Sequence, residues 1–172
     1  ENALSISTRG LGINKNYKSF WEILWITLTQ TSKNPISELK SFEKNKNSWL
    51  GQLLILELKT GTTLEEKLKL LEQFHGLGED SWEFLVEYTA ILGSLERYEE
   101  ILSILWCHKE RLLDPSAWKL KIHKAQALLA QQRINEYKKA LEEILIDPMI
   151  SSDIKHFFIY YILFVNFLLL VI

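Results

Sequence analysis

The apolar residues of this chain recur at helical spacing from residue 17 onward. Trp21, Leu24, Trp25 and Leu28 lie at i, i+3, i+4 and i+7, which places them on one face of a helix. The same period returns in successive segments up to residue 146, and no stretch shows the sustained alternation of a strand. The pattern predicts an all-α fold.

Polar residues between the apolar segments predict where the helices begin. Asn34 pairs an N-cap residue with Pro35 at the first helical position, where a missing N–H costs nothing. Thr63 and Glu66 have the spacing of a capping box, and Asp80 is placed to cap the helix that follows it. We therefore expect short, separately capped helices joined by brief turns.

Three parts of the chain differ in composition. Residues 1–16 are polar, show no clear period and are predicted to form an extended N-terminal arm. Residues 17–150 are predicted to form a helical-repeat domain, and residues 151–172 an apolar terminal helix. The chain begins with Glu1 and not with Met, so we expect a processed protein or a fragment.

Four tryptophans mark a repeat. Trp21, Trp49, Trp82 and Trp118 each stand near the start of the first helix of a pair, and they are separated by 28, 33 and 36 residues. Because a helical hairpin cannot bury its apolar face alone, an irregular period in the thirties predicts hairpins that stack as an α-solenoid. The alternative is an irregular helical bundle in which the tryptophan spacing is a coincidence.

This pattern resembles the tetratricopeptide family, or its half-a-tetratricopeptide relative, over roughly residues 49–148. The resemblance rests on the leading tryptophans, on Tyr88 six positions after Trp82, on Gly93 at the inter-helix turn, and on a second helix that ends in Asp147-Pro148. It implies a non-catalytic scaffold that binds a partner segment in a concave groove. Tyr88 is included among the candidate partner-binding residues.

Residue chemistry favours no enzyme class. The sequence has no metal-ligand motif and no phosphate-binding glycine loop, so we expect no metal, no cofactor and no catalytic residue. Cys107, the one cysteine, is expected to be buried beside Trp106, and His123 to lie on an exposed helix face. A lone cysteine forms no intrachain disulfide, so the expected location is a reducing compartment inside the cell.

Charge is distributed unevenly although the formal net charge is only −2. Residues 79–100 carry seven acids against one base, whereas residues 109–139 carry eight bases against three acids. The hypothesis is that Lys121, Lys124 and Arg133 receive an acidic segment or a C-terminal carboxylate of a partner. The alternative is that these charges are merely solvated. Nucleic acid is a weaker candidate because the acidic region would repel phosphate.

The terminal run over residues 157–172 contains only one strongly polar residue, Asn166. As a helix it would reach about 24 Å, slightly short of the ~30 Å hydrocarbon core of a bilayer. A polar outer face is expected of a terminal repeat helix, and this run has none, so lipid or protein should cover it, with protein slightly favoured. The candidate residues for membrane or subunit contact are Phe157, Phe158, Tyr160, Tyr161, Phe164 and Phe167.

Three functions remain open at this point. The first is a non-enzymatic helical-repeat adaptor that mediates protein–protein interaction within a larger complex. The second is a tail-anchored membrane protein whose cytosolic or stromal helical domain recruits partners. The third is an auxiliary subunit that wraps a catalytic chain.

Overall fold

The computed structural model describes residues 2–156 and residue 159, and within these residues it contains helices and no strand. The all-α prediction is confirmed for this part of the chain. Its α-helices, in chain order, are α1 (Ala3–Ile13), α2 (Lys18–Thr31), α3 (Pro35–Lys44), α4 (Trp49–Glu57), α5 (Leu64–Gly76), α6 (Trp82–Ser94), α7 (Tyr98–Cys107), α8 (Trp118–Ala130) and α9 (Ile134–Ile146).

The chain forms two compact units, a first unit up to Gly78 and a second unit from Glu79 onward. In the first unit α2 packs against α3 and α4, α3 packs against α4, and α4 packs against α5. In the second unit α6 packs against α7 and α8, α7 packs against α8, and α8 packs against α9. Each unit therefore joins four consecutive helices by the same set of contacts.

The first unit has an additional helix, α1, where an extended arm was predicted. The prediction is wrong for residues 3–13. The Asn2 side chain accepts a hydrogen bond of 2.9 Å from the Ser5 N–H and starts the helix, and Leu11 is buried where α1 packs on α2. A Cβ at Gly10 would lie 2.5 Å from the Phe20 ring, so glycine permits the close approach. Two of the three buried residues of α1, Ser7 and Gly10, are small and not strongly apolar. A search for apolar residues at helical spacing therefore does not detect this helix.

The predicted apolar face of α2 is confirmed at three of its four positions. Trp21, Leu24 and Leu28 are buried, while Trp25 is only partly buried. The Trp21 indole N–H donates a hydrogen bond of 2.6 Å to the Lys15 carbonyl, and its ring lies against Gly51 of α4. The α2–α4 contact thus depends on a large ring packed onto a glycine.

Two of the predicted helix starts are confirmed. The Asn34 side chain accepts from the Ser37 N–H, and both hydrogen bonds of the Thr63–Glu66 capping box are present. The helix-capping residue before Trp82 is Ser81 and not Asp80, because the Ser81 hydroxyl accepts from the Phe84 N–H.

The Asp80 carboxylate instead accepts from Arg111, at 2.9 Å. Its side chain is therefore engaged with a residue that is distant in the sequence, which local capping rules do not anticipate.

In the second unit, buried side chains of α6, α7, α8 and α9 form the core. Phe84, Leu85, Leu92, Leu120 and Ile144 are fully buried there. Small side chains complete it on α8 and α9, where Ala125, Ala127 and Ala140 are buried. Trp82 and Trp118 are only partly buried, in contrast to Trp21 and Trp49.

The terminal prediction falls mostly outside the described residues. Residues 152–156 are helical, and no helix within the described ranges is long and apolar enough to cross a membrane. The six aromatic residues predicted to contact membrane or a subunit lie outside the described residues: Phe157, Phe158, Tyr160, Tyr161, Phe164 and Phe167.

Candidate functional site

Two of the predicted partner-binding cations lie on α8 and face α9. The Lys121 Nζ is 2.5 Å from the Asp147 Oδ2, and the Lys124 Nζ is 3.5 Å from the Glu143 Oε2. The Asp147 side chain is 4% exposed, and the hydrogen bond from Lys121 holds its pKa below the ordinary value. Burial of Asp147 opposes this shift, and a hydrogen bond from the Met149 N–H adds to it.

The third cation, Arg133, directly precedes α9 and forms an ion pair with Glu136 in the first turn of that helix. Its guanidinium donates two hydrogen bonds to the Glu136 carboxylate, at 2.8 and 2.6 Å. These bonds lower the pKa of Glu136. All three predicted cations therefore already have a carboxylate partner within the chain, so a partner carboxylate would have to compete with an existing ion pair.

Tyr88 is part of the core and not of a groove. It is 5% exposed, and its ring packs against Phe84 with the centroids 5.7 Å apart. Tyr88 lies at helical spacing from Leu85 and Leu92, and both of these are also buried. The structure thus gives Tyr88 a packing role.

His123 is partly buried, contrary to the expectation of an exposed face. Its Nδ1 is 2.8 Å from the Thr89 Oγ1, and the Thr89 hydroxyl also lies 2.7 Å from the Leu85 carbonyl. Because the hydroxyl has a single proton and the carbonyl can only accept it, we assign Nδ1 of His123 as the donor to Thr89. Burial, with a smaller contribution from Lys119, lowers the pKa of His123 to about 4.

Cys107 is also placed differently from the expectation: it is exposed at the end of α7. The neighbouring Trp106, expected to bury it, is itself 78% exposed. The Lys109 Nζ lies 5.9 Å from the centroid of the Trp106 ring, which is within the range of a cation–π contact.

Sequence reasoning missed one surface, which we call the insert groove. Two short 3-10 helices, Lys109–Leu113 and Pro115–Ala117, fill the connection between α7 and α8. Cavities of about 500 and 540 Å³ open beside them, and both are lined by Lys109, Leu112 and Lys124. The first cavity is also lined by Trp106, and the second by Leu113, Ile146 and Met149.

One sequence signal could have pointed to this groove. The spacing from Trp82 to Trp118 is 36 residues, the longest of the three intervals and eight residues more than from Trp21 to Trp49. Ten residues, 108–117, connect α7 to α8, whereas four residues, 45–48, connect α3 to α4. The extra residues form one wall of the groove.

Comparisons with known proteins give no family and no relative. No protein-family model matches the chain, and neither a curated protein nor a solved structure matches it. Among the residues that the structure describes, no group of three or more His, Cys, Asp or Glu side chains is placed to hold a metal ion.

Proposed function

We propose that this protein is a non-catalytic helical-repeat scaffold that binds another protein within a larger complex. The observation that carries the proposal is the repeated contact pattern, in which the corresponding pairs among four consecutive helices are in contact in both units. When helical hairpins stack, each hairpin buries one face against its neighbours. The other face stays exposed, and successive hairpins together form an extended surface that can bind another protein.

The finer form of the proposal is a tetratricopeptide-like solenoid. In this form α2, α4, α6 and α8 are the first helices of successive hairpins, and each begins with or contains one of the four spaced tryptophans. Contacts from a first helix to the next first helix, α2 to α4 and α6 to α8, support this form, since they are the contacts by which adjacent hairpins stack.

Exposed apolar side chains in the second unit favour a protein partner. Trp106, Leu113 and Ile146 are each more than three-quarters exposed, and all three line the insert groove. Large apolar side chains exposed beside concave surfaces support an interaction site. The proposed setting is a reducing compartment inside the cell, as expected for a chain with one cysteine.

The test is purification of the full chain from its source cells at native abundance, with quantitative mass spectrometry and chemical cross-linking. We expect at least one protein in near-equimolar amount, cross-linked to lysines of this chain. The control is Leu120→Asp, which places a carboxylate at a fully buried core position and should release that partner by unfolding the second unit. Recovery of the chain without any near-equimolar protein would contradict the proposal.

The apolar run over residues 157–172 favours a second candidate, a tail-anchored membrane protein. Flotation with lipid vesicles separates the two candidates. The tail-anchor proposal predicts that the full chain floats and that a chain ending at residue 156 does not. Equal sedimentation of both chains would exclude the second candidate. Co-purification of an active enzyme would instead identify an auxiliary subunit.

A further inference from the structure

We propose that the second unit binds a small uncharged amide in a cavity between α6, α7 and α8, where His123 accepts a hydrogen bond from the amide N–H. The cavity has a volume of about 430 Å³, which is the size of a small-molecule site. None of the residues that line it also lines the insert groove. The site is therefore separate from that surface, and it adds a binding activity to the proposed scaffold function.

The lining of this cavity, which we call the neutral cavity, carries no formal charge among the residues that the structure describes. Its imidazole, His123, is uncharged at neutral pH because burial lowers the pKa of His123 to about 4. Lys119, whose charge contributes to this shift, is not part of the lining. An ion that entered the cavity would lose hydration without meeting an opposite charge, so the lining favours an uncharged ligand.

Hydrogen bonding within the cavity wall determines which atom of His123 is left for a ligand. Thr89 is 1% exposed, and its hydroxyl donates to the Leu85 carbonyl at 2.7 Å. The same hydroxyl accepts from the His123 Nδ1 at 2.8 Å, so the proton of the neutral ring is on Nδ1 and Nε2 has a lone pair. Nε2 has no partner among the described residues. His123 therefore presents an acceptor of fixed position, which requires an N–H or O–H group on the ligand.

Two further polar side chains line the neutral cavity and can bind the other half of an amide. The Tyr98 hydroxyl and the Gln126 carboxamide have no hydrogen-bond partner among the described residues, and each can donate to a carbonyl oxygen. Tyr98 is partly buried and Gln126 is exposed, so Tyr98 is the donor better shielded from water. Gly93, Ile101 and other small or apolar residues form the rest of the lining. An amide attached to a small apolar group matches both parts of this lining.

The test uses three molecules of similar shape that differ in one group. Benzamide has the amide N–H, acetophenone has a methyl group in its place, and benzoate has a negatively charged oxygen there. Binding to the full 172-residue chain is measured by heteronuclear NMR titration. We expect benzamide to produce saturable shifts in the backbone amide signals of Thr89, Gly93 and Gln126. Acetophenone and benzoate should bind about fivefold more weakly, as expected for the loss of one hydrogen bond.

His123→Phe tests the hydrogen bond to the ring nitrogen. Phenylalanine keeps a planar ring at this position and removes Nε2. The Thr89 hydroxyl retains its acceptor, the Leu85 carbonyl, in this variant. We expect the fivefold preference for benzamide over acetophenone to disappear. Because the comparison is between two probes on the same variant, a modest change in stability does not affect it.

The chain offers a matched pair of tyrosines for the second hydrogen bond. Tyr98 is the first residue of α7 and lines the neutral cavity, whereas Tyr17 directly precedes α2 in the first unit and is 50% exposed. Replacing either residue by phenylalanine removes one hydroxyl group. Tyr98→Phe should weaken benzamide binding by about threefold, and Tyr17→Phe should leave it unchanged.

Four results would each overturn the proposed amide site. They are the absence of saturable benzamide shifts at the neutral cavity, equal binding of benzoate, equal binding of acetophenone, and a benzamide preference that persists in His123→Phe. An equal loss in Tyr17→Phe and Tyr98→Phe would also contradict it, because the probe would not be reading the cavity. None of these measurements involves a partner protein, so the amide site and the scaffold function can fail independently of each other.

Discussion

In both units the corresponding helices are in contact, but different kinds of side chain meet at these contacts. Where α2 meets α4 in the first unit, the Trp21 ring lies on Gly51. Where α6 meets α8 in the second unit, Thr89 is hydrogen-bonded to His123. The corresponding helix contact therefore accommodates an apolar ring on glycine in one unit and a polar pair in the other. We expect the first unit to respond at this contact to a change in side-chain volume and the second to a change in pH.

The units also differ in the surface beside α3 and α7, the second helices of their first hairpins. The first unit has a cavity of about 580 Å³ between α3, α4 and α5, lined mainly by charged and amide side chains such as Lys40, Gln52 and Gln73. The second unit has the more apolar insert groove at the corresponding place. The longer connection before α8 supplies Leu112, Leu113 and Pro115 to the lining of the insert groove.

The largest expected effect concerns the tryptophans. Trp21→Ala should lower the free energy of unfolding of the first unit by about 3–5 kcal/mol, because it empties a buried site and removes a hydrogen bond. Trp82→Ala in the second unit should cost less than half as much, because Trp82 is only partly buried. Hydrogen exchange followed separately in each unit measures both. Equal losses would show that burial of the leading tryptophan does not distinguish the units.

The second largest difference is expected between the ion pairs that join the last two helices of each unit. Removing the lysine of each pair should lower the free energy of unfolding by different amounts. Lys121→Met leaves the buried Asp147 carboxylate without its cation and should cost about 3 kcal/mol. The matched variant in the first unit is Lys67→Met, which removes the partner of the exposed Glu57 at 2.9 Å and should cost less than about 1 kcal/mol. Chemical denaturation gives both values, and a Lys67→Met loss as large as that of Lys121→Met would refute the difference.

Acid should destabilise the second unit first. The pKa of His123 is about 4 in the folded chain against an ordinary 6.5, so the unfolded chain binds more protons between these values. The stability from neutral His123 is complete above pH 6.5 and falls as the pH decreases toward 4, by about 2 kcal/mol at pH 5.

The measurement is the midpoint of denaturation of each unit between pH 7 and pH 5. His123→Gln serves as the control and should remove this part of the pH dependence. A second unit whose stability stays constant over this range would count against a buried neutral imidazole.

The smallest effects should come from two glycines. A Cβ at Gly51 would lie 2.5 Å from the Trp21 ring, so Gly51→Ala should destabilise the first unit by about 1–2 kcal/mol despite the better helix propensity of alanine. A Cβ at Gly93 would meet Ile101 at an ordinary 3.7 Å, so Gly93→Ala should be neutral or stabilise the second unit by up to about 1 kcal/mol. Thermal unfolding should show a lower midpoint for Gly51→Ala and an unchanged or higher midpoint for Gly93→Ala, and an unchanged or higher midpoint for Gly51→Ala would contradict the packing at Gly51.

Part of the candidate site was accessible from the sequence. The excess of lysine and arginine over residues 109–139 and the long spacing before Trp118 both point to the region of the insert groove. The paired state of Lys121 was not accessible, because Asp147 lies 26 residues away and the meeting of the two depends on how α8 and α9 are rotated against each other. The same limit applies to His123, whose partner Thr89 is 34 residues away.

By itself the sequence determined the helical class, the helix starts at Asn34 and Thr63 and three of the four buried positions predicted for α2, because capping and the 3.6-residue period act between neighbours in the chain. Only the tertiary structure decided that residues 3–13 form a helix, that Tyr88 belongs to the core, and that the connection before α8 opens a groove. These outcomes depend on contacts between residues far apart in the sequence, where the shape of a neighbouring helix, and not local propensity, determines which side chains are covered.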